Sequence, residues 1–281
     1  MERNITRLNG PPIYINLPAP VRLKQCRYGP MLFLANDQYI GGALDKYGEF
    51  SEGEVHLFRQ IVEPNWNVMD VGANHGSHTV ALAQLVGHGG KVYSFEPQRV
   101  LFQLMCANLA LNSLGNVNAY CEGVGREEGI LNVPKVDYTR PDNFGAIEMG
   151  GTGGESVPLV TIDSLELPAL HFAKIDAEGM EGDVVAGAQE TIVHCRPILY
   201  MENDREDKSS GLIKQLWDLD YTLFFHLPYY YNRYNFYGAV ENIYGGTISV
   251  NMLCVPEEKL IKIPDGCHKI TATTDTWRMY I

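Results

Sequence analysis

From about residue 52 onward, short apolar runs alternate with segments whose apolar positions recur every three or four residues. That is the pattern of strands alternating with helices around a parallel sheet. Val68-Met69-Asp70-Val71 reads as a first strand, followed by the turn Gly72-Ala73-Asn74-His75-Gly76 and a helix through Val80 to Val86. Lys91 to Phe95 reads as the second strand, and the next helix carries Leu101, Leu104, Met105 and Leu109 on one stripe. Val117 to Val124 and Phe172 to Asp176 supply the third and fourth. One helix then places Met180, Val184, Ala188 and Ile192 on a single face until Cys195-Arg196-Pro197 ends it. Ile198 to Met201 is the fifth strand, Leu212, Ile213, Leu216 and Trp217 mark a further helix, and Tyr221 to Phe225 and Thr247 to Cys254 are late strands. Seven strands in this order predict an α/β fold with one doubly wound, Rossmann-like sheet.

Three segments stand outside that rhythm. Residues 1–51 hold Pro11, Pro12, Pro18, Pro20 and Pro30 with short strand-like runs, Ile13 to Ile15 and Met31 to Leu34, and read as an N-terminal cover. A helix from about Glu52, with Val55, Leu57, Phe58 and Ile61 up to Pro64, opens the main domain, 52–281. Within it, residues 125–160, with their glycine cluster Gly150, Gly151, Gly153 and Gly154, are too long for a plain connection and read as an inserted loop. Residues 226–246 are a second insertion, with six of the chain's 16 tyrosines: 229, 230, 231, 234, 237 and 244.

The 281 residues carry 34 acids against 22 bases, a net charge of −12 that repels phosphate backbones, so nucleic acid is not the expected partner. The N-terminus lacks the basic patch and apolar stretch of a signal peptide, and no window approaches a membrane span. Six cysteines without a CxxC pair sit mostly inside apolar runs, as reduced thiols in a cytoplasmic protein would.

In an open parallel sheet, ligands bind beyond the carboxyl ends of the strands, and the polar residues of this chain gather there. Asp70-x-Gly72-x-Asn74-x-Gly76 lets the backbone turn tightly beneath a ligand. Its spacing departs from the dinucleotide G-x-G-x-x-G, since Ala73-Asn74-His75 fills the space a pyrophosphate needs, and a cofactor without phosphates fits better. Glu96 ends the second strand twenty residues past Gly76, where a carboxylate can accept both hydrogen bonds of a ribose diol.

The glycine loop with Glu96 resembles the class I S-adenosylmethionine (SAM)-dependent methyltransferases. Tyr47-Gly48-Glu49-Phe50-Ser51-x-x-x-Glu54, Val71-Gly72-Ala73-Asn74, Phe95-Glu96-Pro97, Asn108-x-x-x-Asn112 and above all Lys174-Ile175-Asp176-Ala177-Glu178-Gly179-x-Glu181 resemble the FkbM family. The resemblance implies a mostly parallel seven-stranded sheet with one late antiparallel strand, SAM as donor, and O-methylation of sugars, glycans or secondary metabolites. It also implies Asp70, Gly72, Ala73, Asn74, Gly76, Glu96, Pro97 and Asp176 as cofactor residues. By its place at the end of the third strand, Glu122 either meets the adenine amine as a further cofactor residue or stands as a solvated strand end. The rival readings are an NAD(P)- or nucleotide-sugar-binding oxidoreductase, a nucleic-acid N-methyltransferase, opposed by Asp176-Ala177-Glu178-Gly179 where that class has a Pro-Pro-aromatic motif, and a scaffold without activity.

For catalysis, Asp176 faces the expected sulfonium, and Lys174, two residues away on the same sheet face, either joins the chemistry or neutralises Asp176. His226, ending a late strand, is the expected base for the departing proton. His75 and His78 fall in the cofactor turn and the helix start, where capping or packing is expected, and Glu181 reads as a helix-start acid. Asp176, Glu178, Glu202 and Asp204 offer oxygen ligands to Mg²⁺, but they lack a dedicated cation motif, so no metal is expected. The tyrosine-rich segment either lines an acceptor cleft or forms an aromatic lid. With the proline-rich arm it also offers a contact for a homo-oligomer.

Overall fold

The computed structural model describes residues 13–15, 21–150 and 152–281; Pro11, Pro12, Pro18, Pro20 and Gly151 lie outside the described residues. The chain opens with an antiparallel meander, β1 (Ile13–Ile15), β2 (Val21–Cys26) and β3 (Gly29–Leu34), then α1 (Ile40–Tyr47) and α2 (Glu52–Ile61). Next come β4 (Asn67–Val71), α3 (Ser77–Val86), β5 (Lys91–Phe95), α4 (Arg99–Leu111) and β6 (Val117–Tyr120). The short strands β7 (Gly123–Val124), β8 (Gly129–Val133) and β9 (Glu155–Val160) precede β10 (Phe172–Ile175), α5 (Glu181–Ala186) and α6 (Gln189–Cys195). The chain ends with β11 (Ile198–Glu202), α7 (Glu206–Trp217), β12 (Tyr221–His226), β13 (Asn251–Pro256) and β14 (Cys267–Lys269).

The main sheet runs β14-β12-β13-β11-β10-β4-β5-β6. From β11 to β6 every pairing is parallel, whereas β13 is antiparallel to both β11 and β12. The expected α/β, mostly parallel Rossmann-like sheet is therefore present, with eight strands where seven were expected. The added edge strand, β14, is only three residues long and lies antiparallel to β12. Its residues Cys267-His268-Lys269 carry no apolar alternation, which is why the pattern misses it.

Alternation of side chains sends the central strands' apolar residues to two cores. Val68, Val92, Phe172, Ile198 and Tyr200 pack under α2 and α3. Met69, Val71, Phe95, Ala173, Ile175, Leu199 and Met201 meet Val184, Val185, Ile192, Ile213 and Leu216 of α5, α6 and α7.

Three further expectations need correction. The third strand stops at Tyr120, and Gly123 and Val124 pair instead with β9 in a separate sheet of order β7-β9-β8, built from the long insertion. The helix after β10 is two helices, because the chain turns at Gly187, where a Cβ would lie 2.0 Å from the Gly125 carbonyl oxygen. The last expected strand begins at Asn251 rather than Thr247. Among the described residues no helix is long and apolar enough to cross a membrane, and all six cysteines are unpaired.

Asn108 of α4 ties the N-terminal hairpin to the first βα turn. Fully buried, it accepts the Leu32 N–H (2.6 Å) and donates to the Leu32 and His75 carbonyls (2.9 and 2.8 Å). Asn108→Ala strands these backbone groups without partners, and we expect a loss of roughly 2–4 kcal/mol in urea unfolding. A loss within error of zero would mean that the hairpin is not held there.

Candidate functional site

At the carboxyl ends of β4, β5, β10 and β11 lies a cleft of about 480 Å³, within the range of small-molecule sites. Its floor is made by the turn after β4. Gly72, Asn74 and Gly76 have φ of +76°, +53° and +81°, and the Gly72 and Ala73 amides both donate to the Phe95 carbonyl at 3.0 Å. A Cβ on Gly72 would stand 1.8 Å from the Asp176 carbonyl oxygen, so the glycine is required by the approach of two strand ends.

Glu96 is 3% exposed, and its two oxygens accept the Asn74 and Gln98 amides, each at 2.8 Å. Burial pushes its carboxyl up to about 7, against the lowering effect of those amides and of Lys174, with Asp70 adding a small upward push. Gly72, Ala73, Asn74, Pro97 and Glu122 line the cleft with it. Asp70 and Gly76 do not. Asp70 lies beneath the floor, accepting the Thr79 hydroxyl at 2.6 Å, and Gly76 starts α3 against Met105.

The strand register aligns Ser94, Asp70, Lys174 and Tyr200 in one row across β5, β4, β10 and β11. The Lys174 Nζ lies 3.1 Å from Asp176 Oδ2, 3.5 Å from Asp70 Oδ1 and 3.4 Å from the Gly72 carbonyl. Burial alone would lower its pKa, but the carboxylates of Asp176, Asp70 and Glu54 outweigh it and hold the ammonium charged. Glu54, 3% exposed and bonded to the Ser51 hydroxyl at 2.6 Å, is pushed up to about 7 by burial.

Beyond this row the acids crowd. Oxygens of Asp176, Glu178 and Glu202 all lie within 4.8 Å of one another. Burial and mutual repulsion raise the Glu178 and Glu202 carboxyls, and burial raises Asp204. Arg205 spans the rim, 3.1 Å from Glu148, 3.4 Å from Asp204 and 3.6 Å from Glu178. Glu181 accepts the Ala177 and Gly179 amides at 2.9 and 3.0 Å, closing the turn after β10.

The structure corrects the expectation for His226. It does not line the cleft; it is 8% exposed, with Nδ1 2.8 Å from the Tyr200 hydroxyl, and burial lowers its pKa to about 4. The reason is topological: β13 lies between β11 and β12, so the end of β12 is two strands, about 10 Å, from the acids. Of the six tyrosines only Tyr230 reaches the cleft, beside Tyr39 and Phe50, while Tyr231 and Tyr244 pack on Tyr47 of α1.

Sequence reading did not single out Tyr39 or Arg205, quoted Phe50 only within the Tyr47-to-Glu54 motif without a role, and treated His78 as capping or packing. His78 lines the cleft with a buried Nε2 that has no hydrogen-bond partner, kept neutral by burial and by Lys174. The one available signal was position, since His78 follows the glycine turn and Arg205 the acids of β11.

The family described as Methyltransferase FkbM domain matches residues 70–226, more than half of the chain. No curated protein matches the chain in sequence. Among solved structures, an FkbM methyltransferase from Methylobacillus flagellatus KT is 17% identical over 72% of this chain and 50% of its own, with a TM-score of 0.45. This chain thus spans about half the length of that protein. The O-methyltransferase TomG from Streptomyces achromogenes, solved with SAM, is 11% identical over 73% of this chain and 78% of its own (TM-score 0.43). A precorrin-6y C5,15-methyltransferase from Geobacter metallireducens GS-15 is 12% identical over 72% and 84% (TM-score 0.45).

The packing at Gly72 sets what a substitution there should do. Gly72→Val drives a side chain into the Asp176 backbone, so we expect a lowered melting temperature as well as lost ligand binding. His226→Gln should leave ligand affinity within twofold. Calorimetry and thermal melts check both, and a fully stable Gly72→Val protein would contradict the packing argument.

Proposed function

The chain belongs to the FkbM methyltransferase family, and from that premise we propose that it is a SAM-dependent O-methyltransferase acting on a hydroxyl of a sugar, glycan or small metabolite. The observation that carries this reading is one cleft with two chemically distinct ends: Glu96 held by the Asn74 amide of the glycine turn and the Gln98 amide, and the acids at the ends of β10 and β11. The first end fits the cofactor's nucleoside. Glu96 keeps lone pairs for a ribose diol after accepting its two amides, and Gly72 and Ala73 line the cleft beside it with no more than a methyl group between them. Glu122 and the walls from the 125–160 insertion close the adenine side, and the family match together with a turn whose Asp70-x-Gly72-x-Asn74-x-Gly76 spacing departs from the dinucleotide fingerprint disfavours the oxidoreductase reading.

When bound, SAM supplies a methyl group that passes to the acceptor oxygen. The protein's part is alignment and charge. Asp176, fixed by Lys174 at 3.1 Å, orients the acceptor hydroxyl, while Lys174 remains a cation and takes no proton. With His226 outside the cleft, the proton leaves toward the acids, of which Asp204 is the one most open to solvent, with 43% of its side chain exposed. Tyr39, Phe50 and Tyr230 offer apolar faces to the C–H surface of a sugar or ring. The N-terminal hairpin serves as a cover that holds the glycine turn through Asn108 and through the Leu34 amide on His75 Nε2. The unpaired cysteines support a reducing compartment such as the cytoplasm.

S-adenosylhomocysteine (SAH) at a hundred times its Kd should stabilise the fold by about 2.7 kcal/mol, and NAD(P) should not. Stabilisation by NAD(P) alone would overturn the reading. Ribose hydroxyls donate and therefore need ionised Glu96. Because its carboxyl titrates at about 7, SAH affinity should rise by up to about tenfold between pH 6 and 8, and Glu96→Gln should abolish the rise. Calorimetry across that range decides it.

A further inference from the structure

We propose that Asp176, Glu178 and Glu202 hold one hard divalent cation, Mg²⁺ or Mn²⁺, at the acceptor end of the cleft. The first support is how the fold assembles them. The β10–β11 register ends at Ile175 opposite Met201, which sets Asp176 and Glu202 across from each other one residue further on. The turn after β10, with φ of +51° at Glu178 and +88° at Gly179, brings the third carboxylate back to the pair. One oxygen from each lies within 4.8 Å of the others. Oxygens this close can share one ion, since two ligands on opposite sides of an ion with ~2.1–2.6 Å metal–oxygen distances are about 4–5 Å apart.

The second support is the state of Glu202. Its Oε2 is sealed from solvent and has no hydrogen-bond partner, and one of its two oxygens lies within 4.8 Å of oxygens of the two other carboxylates. Lys174 reaches Asp176, and Arg205 reaches Glu178 and Asp204, but among the described residues no cationic side chain lies within ion-pair distance of Glu202, which Arg205 influences only from farther away. A buried carboxylate in this setting is either protonated or neutralised by a cation. An all-oxygen set with no histidine or thiolate selects hard divalent ions. Three protein ligands also leave coordination positions facing the cleft, suited to an acceptor that presents two neighbouring oxygens, such as a vicinal diol.

The acceptor part of this inference rests on the methyltransferase reading, but cation binding can be measured without turnover. The full chain, stripped with EDTA and desalted, is titrated with Mn²⁺ while the electron paramagnetic resonance signal of free Mn²⁺ is followed. We expect one Mn²⁺ per chain, displaced by Mg²⁺, with affinity falling roughly 10- to 100-fold in Glu202→Gln and again in Glu178→Gln. Glu63→Gln, exposed and outside the cleft, should bind as the parent does, and circular dichroism verifies that each variant is folded. An undiminished free Mn²⁺ signal, or binding that is equal in all variants, would overturn the proposal and leave Glu202 as a protonated acid. SAH binding without Mn²⁺ binding would sink the cation alone, and the reverse would sink the cofactor reading alone.

Discussion

The site is organised around a buried ammonium. Lys174 is 3% exposed, and a charge so placed persists only if opposite charges reach it with good geometry. Asp70 comes from the neighbouring strand, Asp176 from two residues further along its own, and the Gly72 carbonyl from the turn between. Those partners require β4 and β10 to be adjacent, parallel and in the register observed. Removing the lysine would leave Asp70, with no exposed surface, as an uncompensated carboxylate in the sheet.

From that pairing the crowding above it follows. Because β4 and β10 meet so closely, only glycine fits at position 72, and the chain leaves β4 in the left-handed region, turning the Asn74 amide toward Glu96. The same approach brings Asp176 to the cleft surface beside β11 and its acids. Few cations reach this region, so burial and repulsion raise most of its carboxyls. Such an arrangement costs stability and is typical of sites built for a ligand.

The walls are held by polar clasps as well as by packing. Glu49 accepts Arg27, Asn232 and the Phe236 amide at 2.6–2.8 Å, which fastens the tyrosine-rich segment to the N-terminal hairpin. Three of those tyrosines, Tyr230, Tyr231 and Tyr244, pack on Tyr47 of α1 or on Tyr39 just before it, and Tyr230 is thereby fixed at the cleft. On the other side Asp37 and His75 face each other at 3.6 Å, fully buried, beneath the glycine turn.

Much of this was legible in the amino-acid order. The strand-turn-helix rhythm, the glycine turn, Glu96 and the Lys174-to-Glu181 stretch are local patterns, and local patterns are what period and spacing report. What needed the tertiary structure is what depends on which strands become neighbours. His226 ends β12 and Asp204 follows the end of β11 by two residues, and only the insertion of β13 between those strands separates the one from the cleft while leaving the other beside it. Asp70 appeared to face a ligand because it precedes the glycines, but strand alternation turns it onto Lys174 beneath the floor. The nearness of Glu178 and Glu202, 24 positions apart, likewise follows from pairing across the sheet, which no short-range pattern in the chain encodes.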